Sequence, residues 1–581
     1  MNNKNFSLSL VTLALSITAT DINAADAYNL VEIEVTENYK HHYPEAMNSQ
    51  GEIIGNAFTR YNPVIYPESY LASLGIPQEE IDANTYTNTS MNTIRNALLL
   101  GSGSLANDAL VQKIADARGF VSNLASSSDD KAVLVNTVDV IDEEIDSFTF
   151  SSLEQLTGIN DSGVIVGNAT APFTTSMFTA EGSEEEVKVW TRAYSSRATV
   201  TIDGVTTVIE PTLAEFGGRS AAFGISDSGF IAGSESTTFV GTAEEDLPAN
   251  CTGETAPVEF CTYDYQLRNT TYLDTPVIWQ IDAAGNVIDK VQYPLSFQVD
   301  ADDTMIYSSS VKAVNDNGVG VGLGVVPSDV GGGFTSQRAI VFRNGESEQI
   351  PMALGEFDTS DAIAINNSGL VIGHHNEFFN ARYNSKYFVY DISSGTLTYP
   401  ETFFKSAQSF AGAVNNDGVV VGSAEYETSS SSTKRRHAFI YDTTTELFRD
   451  LNDLVECQSD FEVVSAQDIN DEGQILATAV KTVQARNSIG ELLYSQEVVY
   501  ETDADGNIIE GTGTTEYVLD ENGEKIPVMD AVIVPVRLDP IDSISESSCG
   551  VSEPYERKGF SFGWLSAMLG LGLVAIRRRF L

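Results

Sequence analysis

The chain has 581 residues, 82 of them acidic and 32 basic, for a formal net charge of −50. Such a surface repels nucleic acid and excludes a nucleic-acid-binding role. Apolar residues make up 42% of the sequence, enough for a large core, and the four cysteines are a number suited to an exported protein with a few disulfides.

Residues 1–25 read as a secretory signal. Lys4 is followed by the apolar run Phe6–Ile17 and by small residues at Ala24, Ala25 and Ala27. Lys4 and Asp21 cancel, and the segment from Arg557 onward holds five positive charges and no negative one, so the portion between them carries about −55. Tyr28–Val35 alternates like a strand.

A short unit then recurs seven times: MNSQGEIIG at Met47, INDSGVIVG at Ile159, ISDSGFIAG at Ile225, VNDNGVGVG at Val314, INNSGLVIG at Ile365, VNNDGVVVG at Val414 and INDEGQILA at Ile469. Apolar residues lead into an Asx-rich turn, a glycine takes positive φ, and a strand resumes. That is a hairpin with a three- or four-residue connection. The turn positions are Asn48 and Gly51, Asn160 and Gly163, Asp227 and Gly229, Asn315 and Gly318, Asn366 and Gly369, Asn415 and Gly418, and Asn470 and Gly473. Third strands are expected at Val187–Trp190, Pro276–Trp279, Arg338–Phe342, Tyr387–Tyr390 and His437–Tyr441, with a fourth after them. The later copies start 51, 49 and 55 residues apart, close to the ~40–50 residues of a propeller blade. The predicted architecture is an all-β propeller spanning 26–545, with seven four-stranded blades and six or eight as alternatives. A ring needs closure, so Tyr28–Val35 is expected to complete the last blade beside Ala531–Leu538.

The wider spacings hold insertions. Pro77–Ser128 has helical spacing at Met91, Ile94 and Leu98, then at Leu110, Ile114 and Ala117. Thr482–Met529 reads as hairpins turning at Asp503–Asn507 and Asp520–Gly523. Four cysteines allow three pairings; Cys251–Cys261 and Cys457–Cys549 are favoured, the first stapling a local excursion and the second tying the last repeat to the segment preceding the tail. After a linker at 546–558, residues 559–581 contain the uncharged run Gly559–Ile576 and then Arg577–Arg579. This reads as a transmembrane helix with a cytoplasmic basic end.

The tail resembles the GlyGly-CTERM sorting signals of Gram-negative surface proteins, although Phe560 stands where a second glycine is usual. That resemblance implies a membrane partner before processing, a sorting protease, and export across the inner membrane to the cell envelope, the cell surface or the medium. The repeat, with His437-Ala438-Phe439, resembles the HAF-type extracellular repeat proteins of bacteria, which have no established activity to carry over.

No catalytic set emerges. His374 and His375 follow the fifth hairpin, while His41 and His42 precede the first. Gly101–Ser104 lacks a nucleophile elbow, and Asp503–Asn507 lacks the full spacing of a calcium loop. No cofactor is expected beyond weak divalent-cation binding by surface carboxylates. Lys434–Arg436 reads as a solvated loop. The expected role is a non-enzymatic binding or structural module with an extracellular ligand. The alternative is a propeller hydrolase or lyase acting on an extracellular polymer.

Overall fold

The computed structural model describes residues 27–35, 39–123, 131–135, 138–143, 145–268, 270–299, 305–328, 334–353, 355, 358–379, 382–428, 434–455, 460–501 and 513–542. The expected signal, the linker, the apolar tail, Asp503–Asn507, Cys457 and Cys549 lie outside them. No described helix is long and apolar enough to cross a membrane.

Seven four-stranded antiparallel sheets form a seven-bladed β-propeller. The first blade runs Tyr39–Met47, Glu52–Arg60, Ala117–Asn123 and Val133–Leu134; the second Glu154–Ile159, Ile165–Ala169, Arg197–Ile202 and Val205–Ile209; the third Ser220–Ile225, Phe230–Phe239, Tyr272–Ile281 and Val287–Gln292. The fourth runs Ser309–Val314, Gly320–Pro327, Thr335–Arg343 and Glu346–Gln349; the fifth Thr359–Ile365, Leu370–Phe379, Arg382–Asp391 and Thr396–Thr398; the sixth Ser409–Val414, Val419–Glu425, Arg436–Asp442 and Leu447–Asp450. The seventh takes Phe461–Ile469, Ile475–Gln484 and Met529–Ile541 from the end of the chain and Ala27–Glu32 from its beginning. Ala27 pairs with Ile541 and Glu32 with Val536, so the expected closure is present. The seven first strands touch one another in a closed ring around the axis.

Each repeat joins a first strand to a second. The glycine N–H donates to the carbonyl three residues back, as from Gly369 to Asn366 O at 3.1 Å. All seven glycines hold positive φ, from 71° at Gly318 to 87° at Gly369. This is a β-turn whose last residue is left-handed, a geometry that glycine adopts at little cost. The asparagine also ties blades together. Asn366 Oδ1 accepts from Leu370 N within its own turn, while Nδ2 donates to Asn415 O of the next blade at 2.9 Å. The same donation runs from Asn48 to Asn160, Asn160 to Ser226, Asn315 to Asn366, Asn415 to Asn470, and Asn470 back to Asn48. In the third copy Ser226 stands at the asparagine position, and its hydroxyl makes no such link to Asn315. Asp227, the position read from sequence, is one residue further on and accepts from Asp161 N at 2.7 Å.

The second glycine of the repeat has a different cause. Every first strand shifts register three residues before the turn asparagine, as at Ala411/Ala413 and Ala362/Ala364. That bulge presses a carbonyl onto the glycine. A Cβ would lie 2.1 Å from Asp361 O at Gly373 and 2.1 Å from Phe410 O at Gly422. Ala477 is accommodated in the seventh blade because its first strand shifts a second time, between Val463 and Ser465.

Strand direction fixes two unlike faces. The repeat turns and the short third-to-fourth-strand turns lie at one end of the blades, and Ala27 and Ile541 are there too. Second-to-third-strand connections lie at the opposite end, and in blades seven, one, two and three they are long. In blade one, Tyr70–Ser73, Gln78–Ala83 and Asn88–Leu98 are helices, the last capped by Thr87 Oγ1 accepting from Ser90 N. The expected continuation through Leu110, Ile114 and Ala117 is not helical. Gly101 turns the chain at φ 81°, Ile114 lies extended beside Leu99, and Ala117 opens a blade strand. The extended segment there packs on the helix (Val111 and Ile114 share its core). Val187–Trp190 is also not a third strand: it belongs to a separate hairpin, Thr174–Thr179 with Glu186–Thr191, and Arg197–Ile202 takes the blade position. Two helices with no counterpart in the sequence-based expectation, Ala243–Asn250 and Val258–Gln266, fill the third-blade insertion.

Candidate functional site

The four long insertions pack into one layer over blades seven, one, two and three. Asn62 N donates to Ser488 O at 2.8 Å, and Ser488 Oγ to Asn88 Oδ1 at 2.7 Å, joining the seventh-blade insertion to the first. Trp190 N donates to Ala109 O, and Glu181 N to Glu254 O, both at 2.7 Å, joining the first to the second and the second to the third. Tyr66, Phe173, Trp190 and Tyr263, from three insertions, form a buried aromatic cluster. The Cys251–Cys261 disulfide ties the helix pair that supplies Tyr263.

Two buried cations sit in this layer. Lys113 Nζ donates to the carbonyls of Leu105, Asp108 and Val111. Burial, with Arg192 nearby, pushes its pKa down to about 8. Arg192 lies 4.2 Å over the Tyr263 ring and 4.9 Å over Phe173, and donates to Tyr263 Oη at 2.6 Å. Beyond them is a cavity of about 340 Å³ lined by Asn107, Phe260, Tyr263, Tyr265, Leu267 and Arg268. Arg192 was missed in the sequence; the available signal was an arginine beside tryptophan and tyrosine in a chain poor in cations.

The seventh-blade insertion is an arm. Its hairpin pairs Gln496–Val499 with Thr514–Tyr517. The expected turn at Asp520–Gly523 is present, with Gly523 N donating to Asp520 O at 3.1 Å and Glu524 N to Asp520 Oδ1 at 2.8 Å. Leu492, Val498, Val499, Tyr500, Tyr517 and Leu519 along it are 40–55% exposed. Pairing puts Val498 and Tyr517 on one face and sets Glu497 opposite Glu516 on the other. Lys525 Nζ covers the Tyr517 ring at 3.6 Å.

The other singled-out residues are occupied structurally. His41 Nδ1 accepts from Ile533 N at 3.3 Å, across the seam between blades one and seven, and burial holds its pKa down at about 4. His42 rests edge-on against Phe120. His374 Nε2 lies 3.3 Å from Ala411 O of the next blade, and His375 faces Asp358 at 3.6 Å. His437 stacks on Tyr426 at 3.5 Å, with Nδ1 2.6 Å from Asp450 Oδ2 and Nε2 3.8 Å from Glu462. Arg435 pairs with Glu462 at 2.8 Å, and Arg436 covers Phe410, so the Lys434–Arg436 segment is not a free basic patch. Ser102 and Gly103 form a turn, with N–H groups donating to Leu99 O. Arg118 is sandwiched between buried Asp139 at 2.9 Å and Glu154 at 2.8 Å. Among the described residues, no three His, Cys, Asp or Glu side chains converge as a metal site.

Residues 5–579 match the family model described as "Protein of unknown function (DUF3466)". No curated protein matches the chain. Similar solved structures include the β-propeller domain of the Trilobed protease from Pyrococcus furiosus, at 9% identity over 76% of this chain and 92% of that one, with a TM-score of 0.34. A puromycin-hydrolyzing peptidase of Mycobacterium tuberculosis is similar at 9% identity over 79% and 61%, with a TM-score of 0.34. The chain therefore spans less than two-thirds of that peptidase. A polysaccharide lyase of the PL25 family, an ulvan lyase, is similar at 9% identity over 72% and 82%, with a TM-score of 0.33.

Proposed function

The chain belongs to the DUF3466 family of proteins of unknown function, and from its own surface we propose that it is an exported, non-enzymatic binding module of the cell envelope. The observation that carries this reading is the arm. A hairpin with large apolar side chains turned to solvent stands on the face opposite Ala27 and Ile541. Exposed apolar patches of this kind mark interaction sites, and insertions at one end of a propeller are free to vary without disturbing the blades. The tail's resemblance to a sorting signal and the HAF-like repeat support an envelope location. We take the turn face, where Ile541 lies, as the one a membrane-held tail turns to the lipid, which leaves the insertion layer toward the exterior.

The test uses the protein purified from cell envelopes. Its binding to immobilised acidic and neutral extracellular polysaccharides is measured beside an assay for newly formed sugar ends. Binding without turnover is expected, falling at least tenfold when Val498, Tyr500, Tyr517 and Leu519 are replaced by serine. Release of sugar ends from any polymer would overturn the non-enzymatic reading in favour of a hydrolase or lyase.

A further inference from the structure

The insertion layer buries an arginine with two unpaired nitrogens. Arg192 is 5% exposed, and its Nε and Nη1 have no hydrogen-bond partner. Trp190, two residues earlier and 1% exposed, has an unpaired Nε1–H and packs in the same aromatic cluster. Three buried unpaired donors thus belong to one aromatic cluster, with Arg192 over Phe173 and Tyr263 and Trp190 edge-on to Tyr66 at 5.0 Å. Lys113 adds a second buried positive charge, its own donors already spent on carbonyls. Burial pushes Arg192 toward its neutral form and the Tyr263 hydroxyl opposes this, while the carboxylate ion pairs of the layer are made by other cations, such as Lys188 with Glu68 and Arg268 with Asp264. Gln266 Oε1 is buried and unpaired nearby, but it is a neutral oxygen, and its amide nitrogen is held by Phe216 O at 2.9 Å. A buried guanidinium without an anion is costly, since its desolvation is not returned by pairing. The two other arginines buried to the same degree among the described residues meet carboxylates, Arg118 with Asp139 and Glu154 and Arg197 with Glu210 at 3.0 Å.

We infer that Arg192, with the Trp190 indole N–H, binds a small anion between the second- and third-blade insertions. The anion accepts from Nε and Nη1 of Arg192 and from Nε1 of Trp190. Its source is either a free halide or the carboxylate of a larger ligand entering past Tyr263 from the adjoining cavity. An anion here would pin the hairpin to the disulfide-tied helix and so shape the binding layer.

The test is a titration of the full chain in detergent, at ionic strength held constant with a bulky organosulfonate, so that general screening of the −50 chain does not contribute. Chloride, acetate and glucuronate are added separately, and the thermal midpoint is followed. A saturable rise is expected in the wild type, at least tenfold weaker in Trp190→Phe and abolished in Arg192→Met. A rise with chloride assigns a free halide; a rise with acetate or glucuronate alone assigns a carboxylate. Where chloride gives the rise, crystals soaked in bromide give a check that needs no variant, with an anomalous peak expected beside the Arg192 guanidinium. Equal responses in wild type and Arg192→Met, or, after a chloride rise, bromide sites that leave Arg192 bare, would overturn the inference.

Discussion

At the scale of single residues, the repeat is a set of polar links between blades. Six asparagine amides reach the next blade's turn, and Ser226 leaves one link unmade. Ser226→Asn should therefore stabilise the protein by about 1 kcal/mol, the net worth of one buried hydrogen bond, read from chemical denaturation. The second glycine makes a sharper prediction. Gly422→Ala should cost several kcal/mol, or about 3 as an order of magnitude, because its Cβ meets Phe410 O and the Ala411 Cα. Ala477→Gly should cost much less, since its bulged neighbour already makes room. The seam between blades one and seven holds two buried groups of opposite pH sense. Asp468 accepts from Met47 N at 2.8 Å, and burial raises its pKa to about 6. Its folded state holds the proton more tightly, so its stabilisation is full below pH 4 and is lost as pH rises through 6. His41, held near 4, works the other way: its contribution falls as pH drops from 6.5 through 4. Asp468→Asn should thus steepen acid destabilisation between pH 4 and 6 by roughly 1.4 kcal/mol per pH unit, measured from urea unfolding across that window. These turns were legible because asparagine and glycine have narrow uses in a tight hairpin; the seam was not, since a buried Asp468 looks like any other acidic residue until its neighbours are known.

At the scale of elements, closure by the first strand was readable because a ring cannot leave its last sheet short, and Tyr28–Val35 is an apolar alternation with no other partner nearby in sequence. Removing residues 27–32 should expose the edge of Met529–Ile541 and convert the protein to an aggregating species, seen by light scattering at a temperature where the intact chain stays dispersed. The insertions were harder to read. Leu110, Ile114 and Ala117 keep helical spacing by coincidence: Leu110 is an exposed turn residue, Ile114 packs extended beside Leu99 on the helix, and Ala117 opens a blade strand. Val187–Trp190 has strand composition and forms a strand, but in a hairpin off the blade; composition cannot say which sheet a strand joins. Helices at Ala243–Asn250 and Val258–Gln266 carry weak periodicity and are tied to each other by the disulfide, while Tyr263 and Gln266 fix the second one to the layer. Reducing Cys251–Cys261 should loosen these helices while leaving the blade cores folded. Hydrogen exchange should then rise in 243–267 and stay unchanged in strands such as Val419–Glu425.

At the scale of the whole molecule, the blades serve as a rigid ring with a division of labour between its ends. Tight turns, with Ala27 and Ile541, occupy one face, and the layered insertions with the exposed arm occupy the other. The acidic surface keeps such a body dispersed and discourages self-association through the arm, where Glu497 already faces Glu516. The propeller was legible from the period of the repeat, whereas the aromatic-cationic layer was not, since Tyr66, Phe173, Trp190, Arg192 and Tyr263 come from three insertions that only the blade order brings together. The most direct measurement is hydrogen exchange of the full chain free and bound to isolated cell envelopes. The account predicts added protection in the arm and insertion layer that exceeds any gained by the exposed third-to-fourth-strand turns at 282–286 and 392–395. Protection confined to the turn face, with Gln496–Val499 and Thr514–Tyr517 exchanging as freely as in solution, would contradict it.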